Sequence, residues 1–253
     1  MKNINQYVTE KLKINKSKLK AGTKHTLFPE SKSELIKMIK EEINRNGNKC
    51  SLNHIDVSKI TDTSYLFSLS SFNKFDGDIS EWNVSNVEDM RCMFHEADFN
   101  GDISGWDVSS VSDMDYMFNN SKFNKDIDEW DVSNVKYMHG MFLLSDFNQP
   151  LNNWNVSNVE DMSHMFCKSK FNQPLNNWNV SNVEDMDSMF NGNKKFNQPL
   201  NNWNVSKVTS MKWMFADCCF NQDISNWRIN SNCRTTGMFR GGNIKENFKP
   251  KYL

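Results

Sequence analysis

Residues 154–177 read WNVSNVEDMSHMFCKSKFNQPLNN, and most of the chain repeats this stretch with modest changes. The next copy opens at Trp178 with WNVSNVEDM, and tryptophans recur at Trp82, Trp106, Trp130, Trp154, Trp178, Trp203 and Trp227, at steps of 24 with a single 25. A fixed period of this size marks tandem units that cannot bury their apolar faces alone and must stack. Positions that stay apolar in every copy are expected to face the shared core. In the Trp154 unit these are Trp154, Val156, Val159, Met162, Met165, Phe166, Phe171 and Leu175, with a small residue, Ser169, ahead of Phe171. Ala97, Ser121, Ser145 and Cys218 take that small position in other units.

Two periods coexist within a unit. Trp154 and Val156 alternate with Asn153 and Asn155, the period of a strand, whereas Val159, Met162, Met165 and Phe166 have helical spacing. Ser157 followed by Glu160 has the form of a capping box at the start of that helix, and Asn172 with Pro174 supplies the turn that ends it. The fold class expected is an α/β repeat solenoid, with one short strand and one short helix per unit of about 24 residues and the strands paired in a parallel sheet.

The domain reading places a basic arm at 1–27, a helical N-terminal cap at 28–50, about eight repeats at 51–240 and a basic tail at 241–253. Ile55 stands in the tryptophan column of the first repeat, and the last repeat is a degenerate cap with Asn232 and Thr235 in apolar columns. Ser31 and Ser33 can cap a helix over 31–47 whose apolar side holds Leu35, Ile36, Met38, Ile39 and Ile43, with Gly47 closing it. Ile4, Tyr7, Val8 and Leu12 suggest an amphipathic helix within 1–22, a segment without the apolar run of a signal peptide. Net charge is −1, but residues 1–50 carry 12 Lys/Arg against 5 Asp/Glu and residues 51–239 carry 14 against 25. An acidic repeat region repels phosphates, so no nucleic-acid partner is expected.

The unit F-N-x-[DP]-[IL]-x-x-W-[ND]-V-S-x-V-x-x-M-x-x-M-F, with the lead-in SLNHIDVSKITDTSYLF at 51–67, resembles the BspA-like leucine-rich-repeat surface protein family over roughly residues 28–240. The resemblance implies a leucine-rich-repeat-like architecture and surface proteins with adhesive or host-binding roles. It brings no catalytic residues.

Catalytic motifs are lacking: there is no phosphate-cradling glycine loop, no H-E-x-x-H and no nucleophile elbow. His25, His54, His95, His139 and His164 share no repeat column and are expected to form no common site. Cys92 with His95 and His164 with Cys167 have ligand-like spacing, but three units separate the pairs, too far to complete one zinc site. The turns Asp76-Gly77-Asp78 and Asn100-Gly101-Asp102 raise calcium, but Pro150, Pro174 and Pro199 replace the aspartate in later copies. No metal or other cofactor is expected, the cysteines read as reduced thiols, and the Met162 column reads as core packing rather than a soft binding surface.

The surface left for recognition is the row between the core residues of each expected strand: Glu81, Asn83, Asp107, Glu129, Asp131, Asn153, Asn155, Asn177, Asn179, Asn202 and Asn204. The function expected is a non-enzymatic repeat scaffold mediating protein–protein or surface and host interaction, in the manner of an adhesin. The alternatives are a carbohydrate-binding or virion or cell-surface structural protein, or an enzyme with an unrecognised site. The partner expected is a protein or a surface glycan, with no transmembrane segment; neither compartment nor oligomeric state is assigned.

Overall fold

The computed structural model describes residues 25–69 and 71–251. The amphipathic segment expected at 1–22 lies outside the described residues. Successive repeats stack in register, and single parallel bridges run through Asp62, Asp89, Asp113, Tyr137, Asp161, Asp185, Ser210 and Arg234. The step from Asp62 to Asp89 holds the insertion near Phe72.

The expected α/β architecture does not form. Among the described residues there is one α-helix, Lys32–Asn46 (α1), one 3-10 turn, Glu246–Phe248, and no β-strand, so no parallel-sheet solenoid is present and the leucine-rich-repeat-like description falls with it. The reason lies in how each unit uses its backbone N–H groups. In the Trp154 unit, Met165, Cys167 and Ser169 donate to Met162, His164 and Phe166, closing tight turns at 3.2, 3.0 and 3.3 Å. The intervening Met162, His164, Phe166 and Lys168 donate instead to Asp185, Asp187, Met189 and Asn191 of the next unit, at 3.0, 2.8, 2.9 and 2.7 Å. A helix would keep every bond inside the unit and a strand would keep none. This backbone alternates, and so satisfies its buried polar groups without being either.

The alternation needs two left-handed residues per unit. His164 (φ 59°) and Lys168 (φ 52°) occupy these positions here, as Cys92 with Glu96 and Tyr116 with Asn120 do elsewhere. Left-handed backbone ends any α-helix, so the spacing 159, 162, 165, 166 is that of consecutive turns. The expected strand fails for a related reason. Asn155 Oδ1 accepts the Ser157 N–H at 3.2 Å, and Val159 N–H closes a turn on the Val156 carbonyl. The expected capping box is absent too, since the Glu160 N–H goes to the Lys136 carbonyl of the previous unit at 2.9 Å.

The core columns are buried in every unit from Trp82 to Trp203. Trp154, Val156, Val159, Met162, Met165, Phe166, Phe171 and Leu175 are all 3% exposed or less, which excludes a sugar-stacking tryptophan ladder. Equivalent rings lie face to face along the stack: Phe142 on Phe166 at 5.7 Å, Phe147 on Phe171 at 6.3 Å and Trp154 on Trp178 at 6.3 Å. Each indole also donates Nε1–H to a carbonyl of the preceding unit, Trp154 to Ile127 at 2.9 Å and Trp178 to Leu151 at 2.9 Å. A second ladder runs through asparagines, with Asn148 Oδ1 accepting the Asn172 N–H and Asn172 Oδ1 accepting the Asn197 N–H. Lys74, Asp98 and Lys122 add ion pairs between units, at 3.0 and 2.7 Å.

Both ends of the described stack are covered. Ser31 Oγ caps α1 by accepting the Glu34 N–H at 3.3 Å, and Leu35 and Ile39 turn into the core. Lys32 ties the helix to Asp62 at 2.9 Å, and Leu27 forms a parallel bridge with Ile55. At the other end Ile224 N–H donates to the Phe248 carbonyl at 3.0 Å, and Lys249 Nζ lies 5.6 Å from the Phe239 ring centre. Among the described residues no helix is long and apolar enough to cross a membrane.

Candidate functional site

With the core columns fixed, the side chains that change most from unit to unit are those on and beside the left-handed turn residues. One column reads Arg91, Asp115, His139, Ser163, Asp187 and Lys212, and the next, itself left-handed, reads Cys92, Tyr116, Gly140, His164, Ser188 and Trp213. Two further columns contain Leu143, Cys167 and Asn191, and Leu144, Lys168 and Asp217. The in-register bonds between units set these side chains side by side, forming a turn face along the stack. Large and small residues complement each other there. At Gly140 (φ 57°) a Cβ would stand 2.6 Å from Tyr116 Cε1, and at Gly237 (φ 69°) one would stand 2.7 Å from Trp213 Cε3.

The centre of this face is a hydrogen-bonded chain across three units. Ser163 Oγ–H donates to Asp161 Oδ1 at 2.6 Å. With its proton committed there, Ser163 Oγ accepts from His139 Nδ1–H, which leaves His139 Nε2 to accept from the Tyr116 hydroxyl. His139 N–H donates to Asp115 Oδ1 at 2.8 Å, and the His139 and His164 rings are 5.2 Å apart. The expectation that the histidines share no site is therefore corrected for this pair: they occupy neighbouring columns of successive units, and stacking brings them together. Ser163 is buried and bonded to Asp161, so it is not set up as a nucleophile.

Burial and crowded charge tune the acidic groups. Asp115 is pushed up to about 6, first by burial and then by Asp113. Asp113 and Asp185 are also raised, mainly by burial. Burial, then His139, holds the His164 imidazole below its ordinary range. Arg91 bridges Asp89 at 2.6 Å and Asp113 at 3.4 Å, which offsets part of the repulsion at that end.

The row expected to recognise a partner lies elsewhere on the units. Apart from the half-buried Glu81, its members are exposed. Asn83, Asp107, Asp131, Asn155, Asn179 and Asn204 each use Oδ1 to accept the N–H two residues on, so their oxygens hold turns. The Asn153 side chain donates to Asp128 and Glu129 at 3.0 Å each, and Asn202 N–H donates to Asn176 Oδ1. Asn177 is exposed in the same row.

Of the metal-like pairs, the cysteines are packed in the stack and the histidines are half-exposed. Cys92 and Cys167 are buried, and burial raises both thiols above their ordinary range, away from thiolate character. Among the described residues no group of three or more His, Cys, Asp and Glu side chains is placed to hold a metal ion. In the acidic turns, Asp76 Oδ1 accepts the Asn100 N–H and Asp102 Oδ1 accepts the Ser104 N–H. Sequence reasoning missed Asn193, which fills the small column and is fully buried. Its Nδ2 donates to Ser169 Oγ and the Phe171 carbonyl, and its Oδ1 accepts the Lys195 and Phe196 N–H groups, seating the extra residue of the 25-residue unit.

No curated protein and no solved structure matches the chain. A family described as "Mycoplasma protein of unknown function, DUF285" matches it over residues 34–146 and again over 143–250. The two matches together take in all but the first two residues of α1, the stacked units and the covered far end, and the chain belongs to the DUF285 family.

Proposed function

We propose that the chain is a non-enzymatic interaction scaffold that presents its turn face to a partner. The observation that carries this reading is the contrast between constant and changing positions: tryptophan, methionine and phenylalanine columns repeat in the core, while the turn face offers Arg91, Asp115, His139, Asp187 and Lys212 in one column. A repeated core holds such a row rigidly, and rigid presentation lowers the ordering cost of binding. The resemblance of the repeat to BspA-like surface proteins supports surface or host attachment as the setting.

The test is binding of the full chain to a panel of immobilised extracellular-matrix proteins and cell-surface glycans. Leu144→Asp with Lys212→Glu changes exposed or half-exposed turn-face side chains, and aspartate tolerates the left-handed backbone at Leu144 (φ 59°). Glu129→Lys with Asn177→Lys alters the row that contains Asn153 without removing a turn-closing oxygen. The reading expects a binder lost with the first pair and kept with the second. No binder in the panel, or loss only with the second pair, would contradict it.

A further inference from the structure

We infer that a second surface, beside the turn face, binds an acidic glycan. It rests on the scaffold reading but uses different residues. A groove of about 510 Å³ runs across successive units, lined by Asn124, Asp146, Asn148, Lys170, Asn172 and Lys195. Its asparagines are fixed by the stack: Asn124, Asn148 and Asn172 each use Oδ1 to accept the N–H of the equivalent residue in the next unit, at 3.0, 2.8 and 3.0 Å. Their Nδ2 groups donate to no protein group among the described residues. The neighbouring glutamines face the other way, with Gln173 Nε2 and Gln198 Nε2 bonded to the previous unit and each Oε1 left to accept. The result is a row of preset donors beside a row of preset acceptors, recurring once per unit. Equivalent phenylalanines give the scale of that repeat, with Phe142 and Phe166 5.7 Å apart.

The charge on this surface is positive. Lys170 and Lys195 come from two successive units, and both are exposed. Lys170 is paired with Asp146 at 2.8 Å, whereas Lys195 makes no ion pair among the described residues. Cations beside amide donors and acceptors suit a polymer that carries carboxylate or sulfate groups and many hydroxyls. A nucleic acid fits less well, because no aromatic side chain lines the groove to stack on bases. An acidic glycan needs no such stacking platform: its anionic groups can meet Lys170 and Lys195 while its hydroxyls donate to Asp146.

The experiment is titration of the full chain with a galacturonate hexasaccharide and a sulfated heparin hexasaccharide, beside neutral cellohexaose and oligothymidylate. The acidic hexasaccharides should bind, more weakly as salt rises. Lys170→Glu with Lys195→Glu should weaken them at least about tenfold with the thermal midpoint little changed. Asn148→Asp, which keeps the acceptor for the Asn172 N–H and replaces the free donor, should weaken them too. The inference is overturned if neither acidic hexasaccharide binds, if cellohexaose binds equally well, if oligothymidylate binds more tightly, or if the lysine reversals have no effect. Failure here with a turn-face partner retained would remove this site and leave the scaffold reading standing.

Discussion

Truncating Trp154 to alanine tests how the stack is held together. The side chain is 3% exposed, packs on Trp178 at 6.3 Å and Phe142 at 6.4 Å, and donates Nε1–H to Ile127 at 2.9 Å. Removing a buried tryptophan costs about 3–5 kcal/mol through lost burial and the cavity left behind. The lost hydrogen bond adds about 0.5–1.5 kcal/mol and no more, because the Ile127 carbonyl still accepts the Trp130 N–H at 3.1 Å. Trp154→Phe separates the terms: it keeps most of the ring and should cost only about 1–2 kcal/mol. Amide hydrogen exchange under native conditions reads both variants unit by unit. Protection should fall most at 127–130 and 154–178, since each unit leans on its neighbours. A loss below about 1 kcal/mol for Trp154→Ala, or equal losses for the two variants, would refute packing as the main source of stability.

Asn193→Ala should destabilise by about 2–4 kcal/mol in urea titration, because it strips partners from two backbone N–H groups and a buried serine; an effect under about 0.5 kcal/mol would count against that role. Gly140→Ala should cost about 1–3 kcal/mol, since its left-handed φ and the Tyr116 ring both oppose a Cβ, and Tyr116→Ala should recover part of that cost. Asp115 titrates higher folded than unfolded, so its contribution is fully present below about pH 4 and lost as pH rises through about 6. Asp115→Asn keeps the acceptor for His139 N–H and should therefore stabilise the chain at pH 7.5 by about 1–2 kcal/mol, discounted for partial solvent exposure, with the gain vanishing below about pH 4. A gain that grows on acidification would reverse that sign.

The core was legible because burial repeats the same side chain at the same column: Trp154, Val159, Met162 and Phe171 could be assigned inward from spacing alone. The backbone was not. Consecutive tight turns place Val159, Met162, Met165 and Phe166 at intervals that imitate a helix, and Asn155 capping its own turn imitates one face of a strand. Glycine at Gly140 and Gly237, one column of two units, was the available sign of left-handed backbone. It was masked because Cys92, Tyr116, His164, Ser188 and Trp213 take the same conformation elsewhere. The turn face was hidden for the same reason. Once residues 159–166 were read as a helix, the changing columns became its solvent side, and the contact between His139 and His164 could not be foreseen.

The most direct test of the central claim is the hydrogen-exchange footprint of a binder recovered from the matrix and glycan panel. The scaffold reading predicts new protection in equivalent turn segments of successive units, at 115–120, 139–144 and 163–168, with little change around 81–83, 129–131, 153–155 and 177–179. Protection confined to the Asn83, Asp131, Asn155 and Asn179 row, with the turn segments unchanged, would contradict it.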